Sequence, residues 1–148
     1  MMTRLTRQQK MQRYRECSEI VLVDFDGTLC EFAYPAMGDP IPGARMFLKM
    51  LIARGLKPVI WSSRMSSDVN TVEERAASLS RIAEWMHLHR MPYDSIDTGN
   101  SGKRHCLAYV DDRGAQFTGS YEKVMRRIDY ILNHHNAQVA LKGSVGDD

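Results

Sequence analysis

The sequence has little that would tie it to a membrane, an oxidising compartment or a polyanion through bulk charge. It holds three cysteines, Cys17, Cys30 and Cys106, far apart and odd in number. They form no metal-type pair and no disulfide framework, which points to a reducing, cytoplasmic setting. No apolar run approaches the length that spans a bilayer, so no membrane partner is expected. The N-terminus lacks the apolar stretch of a secretory leader. Internal repeats and low-complexity blocks are missing. Lys and Arg number 20 against 18 Asp and Glu, a net charge of +2, so no global field dictates a partner. Acids are missing in one place only: none precedes Glu16, whereas Arg4, Arg7, Lys10, Arg13 and Arg15 do. This basic segment reads first as a solvated helix and second as a surface for nucleic acid or a membrane face.

What is present is an α/β pattern. A chain of 148 residues makes about one domain with a core of its own. Residues 1–18 are expected to form a basic segment, 19–136 the folded domain that carries the site, and 137–148 a flexible tail. Ile20 to Val23 is a continuous apolar run, as expected of a central parallel strand covered on both faces. It stops at Asp24. A loop or flap rich in Pro and Gly follows, over residues 31–43. Phe47, Leu48, Leu51 and Ile52 are at helical spacing within 44–54, and Gly55 is a stop signal. Lys57 to Trp61 reads as a second strand running into Ser62, Ser63 and Arg64. A helix is expected over 72–90, opened by a capping box from Thr71 to Glu74. A short strand lies within 93–98, another over 106–110 ending at Asp111 and Asp112, and a last amphipathic helix over 121–134 with Ser120 as cap. Strands alternating with helices imply a three-layer, Rossmann-like parallel sheet with helices on both faces. In that architecture active sites form at the carboxyl ends of the strands. Three expected strands end in Asp24, Ser62 and Asp111.

Those ends carry chemistry. A carboxylate such as Asp24 can attack phosphorus, and a second carboxyl two residues on, Asp26, can protonate a leaving group and then activate water. Close carboxylates repel, so they need a hard divalent cation, most simply Mg2+, or a shared proton. Gly27 permits a turn that aims backbone donors, Thr28 among them, at phosphoryl oxygens. Ser62 can donate to a phosphoryl oxygen or cap a turn, and Ser63 competes with it. Arg64 can contact substrate, hold the flap or form an exposed salt bridge. Lys103, in Asn100-Ser101-Gly102-Lys103, can neutralise the transferring phosphoryl group, with Arg104 as competitor. Adjacent acids at a buried strand end are costly unless paired or metal-bound, so Asp111 and Asp112 read as metal-binding, Asp111 directly and Asp112 through water or a neighbour.

The order Asp-x-Asp-Gly-Thr, Ser, Lys, Asp-Asp, each on its proper element over about residues 20–135, resembles the haloacid-dehalogenase-like (HAD) superfamily of phosphatases and phosphotransferases. The resemblance implies Asp24 as nucleophile, Asp26 as general acid/base and an aspartyl-phosphate intermediate. It implies Mg2+ held by Asp24, the Asp26 backbone carbonyl and Asp111, with Asp112 assisting, and Ser62 and Lys103 on the phosphoryl group. Asp26 favours phosphoester chemistry, since dehalogenating members lack that second acid. Neither segment that could hold a cap has room for a large one. Arg104 stands where a proline is frequent, and Trp61 is bulky; both bear on substrate choice. An open site suits a phosphorylated nucleic-acid end, or a phosphorylated small molecule closed over by a second subunit of a homo-oligomer. Three readings follow: a phosphomonoester hydrolase, a 3′-end phosphatase on nucleic acid, and a catalytically silent phosphate- or metal-binding regulatory module.

Overall fold

The computed structural model of the protein describes residues 3–99 and 103–145, with side chains as far as His134. The chain divides into two compact units, Met1–Asp112 and Arg113–Asp148. The boundaries expected at residues 18 and 136 do not coincide with that division.

The first unit is built on a four-stranded, all-parallel sheet. Its strands are β1 (Ile20–Asp24), β2 (Lys57–Trp61), β3 (Ser95–Ile96) and β4 (Ala108–Val110), in the order β3-β2-β1-β4. The helices are α1 (Arg7–Cys17), α2 (Ala44–Ala53) and α3 (Val72–Leu88). This is the expected α/β architecture, and no large cap interrupts it. β1 lies between β2 and β4, with Asp24 level with Trp61 and Val23 level with Val110. The ends of β2, β1 and β4 are therefore neighbours, so Ser62, Asp24 and Asp111 emerge side by side.

Alternation along β1 divides the core. Val21 and Val23 join Ile60, α2 and α3 in the larger cluster, where Leu48, Ile82, Trp85 and Met86 are buried. Ile20 and Leu22 join Val59 in a smaller one, against which Cys17 and Cys106 pack. Both faces of β1 are thus apolar, which is why its sequence does not alternate with polar residues. Burying a side chain such as Leu48 stabilises by about 1.5–3 kcal/mol.

The elements begin and end for identifiable reasons. The Thr71 hydroxyl accepts from the Glu74 N–H, and the Glu74 carboxylate accepts from the Thr71 N–H. That is the capping box expected at the start of α3. A second box, Thr6 with Gln9, opens α1. α3 stops at Leu88, two residues before the expected Arg90, because Arg90 takes φ 56° and reverses the chain. β3 and β4 are shorter than expected. Single ladder bonds do run beyond them, Asp94 N–H to Pro58 O, Asp97 N–H to Ile60 O and Leu107 N–H to Ile20 O, each 2.8 Å.

The second unit carries α4 (Tyr121–Val145), with the Lys123 N–H directed to the Ser120 hydroxyl at 3.4 Å. The helix continues eleven residues beyond His134, through much of the segment expected to be a tail. Residues 137–142, Ala-Gln-Val-Ala-Leu-Lys, contain no Gly or Pro to stop it. Residues 146–148 lie outside the described residues. No helix among the described residues is long and apolar enough to cross a membrane.

Candidate active site

The loop after β1 is wound around one carbonyl. The N–H groups of Thr28, Leu29 and Cys30 all donate to Phe25 O, at 3.2, 3.0 and 3.3 Å. The Phe25 ring faces the core and meets Trp85 edge-on, with centroids 4.9 Å apart. With Phe25 pointing inward, the carboxyl groups of Asp24 and Asp26 go elsewhere, and they go to different partners.

Asp24 meets Asp112. The two carboxyl groups are hydrogen-bonded, and the pKa of Asp24 is pushed from 3.8 up to about 8 by burial and then by Asp112. Its own loop opposes this: the Phe25 N–H donates to Oδ1 at 2.9 Å, and the Thr28 hydroxyl reaches Oδ2 at 3.4 Å. The sequence points to Asp111 as the direct metal ligand, with Asp112 assisting. In the structure the acid that contacts the Asp24 carboxyl is Asp112, two residues beyond the end of β4 at Val110. Asp111 is half-buried beside it.

Gly27 makes that contact possible by being small. It has φ +79°, and a Cβ there would collide with the Asp112 carboxylate. Its N–H is not aimed at a ligand, as expected from sequence, but donates to Cys30 O at 2.9 Å. The Thr28 N–H is likewise spent on Phe25 O. The backbone N–H groups of both residues are thus used within the loop that follows Asp24.

Asp26 meets Arg64. The guanidinium grips both carboxylate oxygens, Nε to Oδ2 at 2.7 Å and Nη2 to Oδ1 at 2.8 Å, and both side chains are nearly buried. The Cys30 thiol lies 4.0 Å from Asp26 Oδ1, and burial together with that carboxylate pushes the thiol up to about 11. Arg64 also donates to Pro35 O at 2.9 Å and to Ala36 O at 2.7 Å, and it packs over the Tyr34 ring. Of the three roles open to it in the sequence, Arg64 holds the flap. Four of its five N–H donors are committed to protein groups, and it is buried, so it is not an exposed salt bridge.

Ser62 is buried at the end of β2, and its hydroxyl oxygen accepts from the Arg64 N–H at 3.1 Å. Its proton remains available to a ligand, so capping and donating are compatible. Ser63 is exposed in the following 3₁₀ turn. Arg104 is bound to Asp97 at 2.9 Å, and Asp97 also accepts from the Gly99 N–H at 2.7 Å. Lys103 is exposed and makes no ion pair among the described residues. Asn100, Ser101 and Gly102 lie outside them. The Asp97–Arg104 brace was not anticipated; acid and base seven residues apart across a loop give little signal in sequence.

Among the described residues no three His, Cys, Asp or Glu side chains converge. The acids expected as metal ligands are thus divided: Asp24 and Asp112 form a pair, and the Asp26 carboxylate is turned to Arg64. That pair fits Mg2+, which typically takes one or two carboxylates and completes its shell with water and substrate oxygens. Two carboxyl groups that share a proton in the absence of a cation are a site where a cation can replace that proton.

No family model matches the chain, and no curated protein matches it by sequence. Two solved structures are similar to it in fold. One is a conserved protein from Bacteroides thetaiotaomicron, 24% identical over 75% of this chain and 89% of that one, with a TM-score of 0.48. The other is a crystallised target protein from Vibrio cholerae, 24% identical over 75% of this chain and 97% of that one, with a TM-score of 0.49.

Proposed function

We propose that this protein is a Mg2+-dependent phosphomonoester hydrolase of the HAD type, working through an aspartyl-phosphate on Asp24. The observation that carries the reading is the Asp24–Asp112 pair at the ends of adjacent parallel strands, with Ser62 at the end of the next. Mg2+ held by Asp24, Asp112 and the Asp26 carbonyl would neutralise the pair and the incoming phosphate. Asp24, once ionised, attacks phosphorus and the ester oxygen departs with its bonding pair. Asp26 must be in its acid form at this stage; it gives its proton to that oxygen and is left as the carboxylate that Arg64 grips. In the second half, Asp26 removes a proton from the water that attacks the acyl phosphate, releasing phosphate and restoring Asp24. The Ser62 hydroxyl and Lys103 act on the phosphoryl oxygens.

Release of phosphate from p-nitrophenyl phosphate with Mg2+, lost in Asp24→Asn with the fold intact, is the expected result. Absence of turnover by wild type across several classes of phosphate ester rejects it. In that case Mg2+ binding without turnover would identify the regulatory module instead. A nucleic-acid 3′-end as substrate is supported by α1, a capped helix with no buried residue and five basic residues in and beside it. That variant requires deletion of residues 1–16 to slow turnover of 3′-phosphorylated oligonucleotides and leave the aryl phosphate unaffected.

A further inference from the structure

Arg64 joins two things that the reaction needs together. One is Asp26, held through both oxygens; the other is the flap, held through the carbonyls of Pro35 and Ala36. The flap is tied a second time from α3, where Trp85 Nε1 donates to Gly38 O at 2.9 Å and Arg81 reaches Pro35 O at 3.4 Å. Gly38 lies so close to Glu31 O that any side chain there would collide with it. The flap, the guanidinium and the Asp26 carboxyl are therefore joined in one hydrogen-bonded unit.

We propose that Arg64 is a positioning residue that aims Asp26 at the leaving oxygen and makes that aim depend on the seated flap. The inference rests on the phosphatase reading above. The grip leaves the chemistry open. Each carboxylate oxygen has two lone pairs, and the bidentate fork uses one on each, so one on each stays open to a bound substrate. A fork is also geometrically demanding. Lysine, a point charge on a flexible stem, cannot hold both oxygens and both carbonyls.

The test uses two substrates. An aryl phosphate with a good leaving group needs little help from a proton donor, whereas an alkyl phosphate needs the full contribution, roughly 100- to 10,000-fold. For Arg64→Ala the expected kcat loss is at least ~100-fold on the alkyl ester and under ~10-fold on p-nitrophenyl phosphate. Arg64→Lys should show the same split, and millimolar guanidinium should restore Arg64→Ala on the alkyl ester. Trp85→Phe, which frees Gly38 O without touching Arg64 or Asp26, should show a smaller split in the same direction. An equal loss on both esters, tracking a fall in Tm and unmoved by guanidinium, would overturn the proposal by making Arg64 merely structural. A wild type inert on both esters would instead remove the phosphatase reading and this inference with it.

Discussion

Asp24 and Asp112 stand at the ends of neighbouring strands with their carboxyl groups hydrogen-bonded to each other. A hydrogen bond between two carboxyl groups requires a proton on one of them. With Asp24 raised to about 8 from 3.8, the folded protein keeps a proton between those values that the unfolded chain has released. Stability must then fall as pH rises through that window. Metal-free wild type should show a Tm that declines from pH 5 to pH 8 more steeply than that of Asp24→Asn. Mg2+ should raise Tm most at the alkaline end. Parallel Tm profiles for the two proteins would contradict the shared proton.

The two acids after β4 should separate on mutation. Asp112→Asn should weaken Mg2+ binding and lower kcat by more than ~100-fold, whereas Asp111→Asn, altering a neighbour of the pair, should cost about 10- to 100-fold. Magnesium titration followed by calorimetry distinguishes them. The reverse order would return the direct role to Asp111.

Gly27→Ala tests space rather than chemistry. The new methyl meets the Asp112 carboxylate and forces a β-carbon into a left-handed backbone conformation. A stability loss of about 1–2 kcal/mol is expected from the backbone alone. Mg2+ affinity should drop with it, because Asp112 is pushed away from Asp24. Denaturant unfolding with and without Mg2+ reads both effects.

Lys103 and Arg104 should differ in kind. Lys103→Ala should raise KM or lower kcat for phosphate esters while leaving the unfolding free energy within about 0.5 kcal/mol of wild type, as for other surface sites. Arg104→Ala strands the nearly buried Asp97 carboxylate and should destabilise the fold by about 3–5 kcal/mol.

Much of this was legible in the chain, and what was not has a common cause. β1 was readable because a strand buried on both faces leaves an unbroken apolar run. The box at Thr71 was readable because a cap is a local device. The equivalent box at Thr6, with Gln9 in place of Glu, carried the same signal and was overlooked beside the charge of α1. Arg64 with Asp26 was not readable: 38 residues separate them, and only the fold makes them neighbours. The choice between Asp111 and Asp112 depended on how the chain bends after Val110, which the alternation of a straight strand does not predict. Gly27 was recognised as a turn residue, but its importance lies in the atom it lacks.

The strand order has a consequence for when the site comes into being. Asp24, Ser62 and Asp112 are spread along most of the first unit, and β4 is the last strand to be made. During synthesis, β1 and β2 can pair and bring Asp24 beside Ser62 while Asp112 has yet to leave the ribosome. Such a nascent chain carries Asp24 without Asp112. On the phosphatase reading proposed above, a chain that ends before β4 is expected to be silent towards phosphate esters.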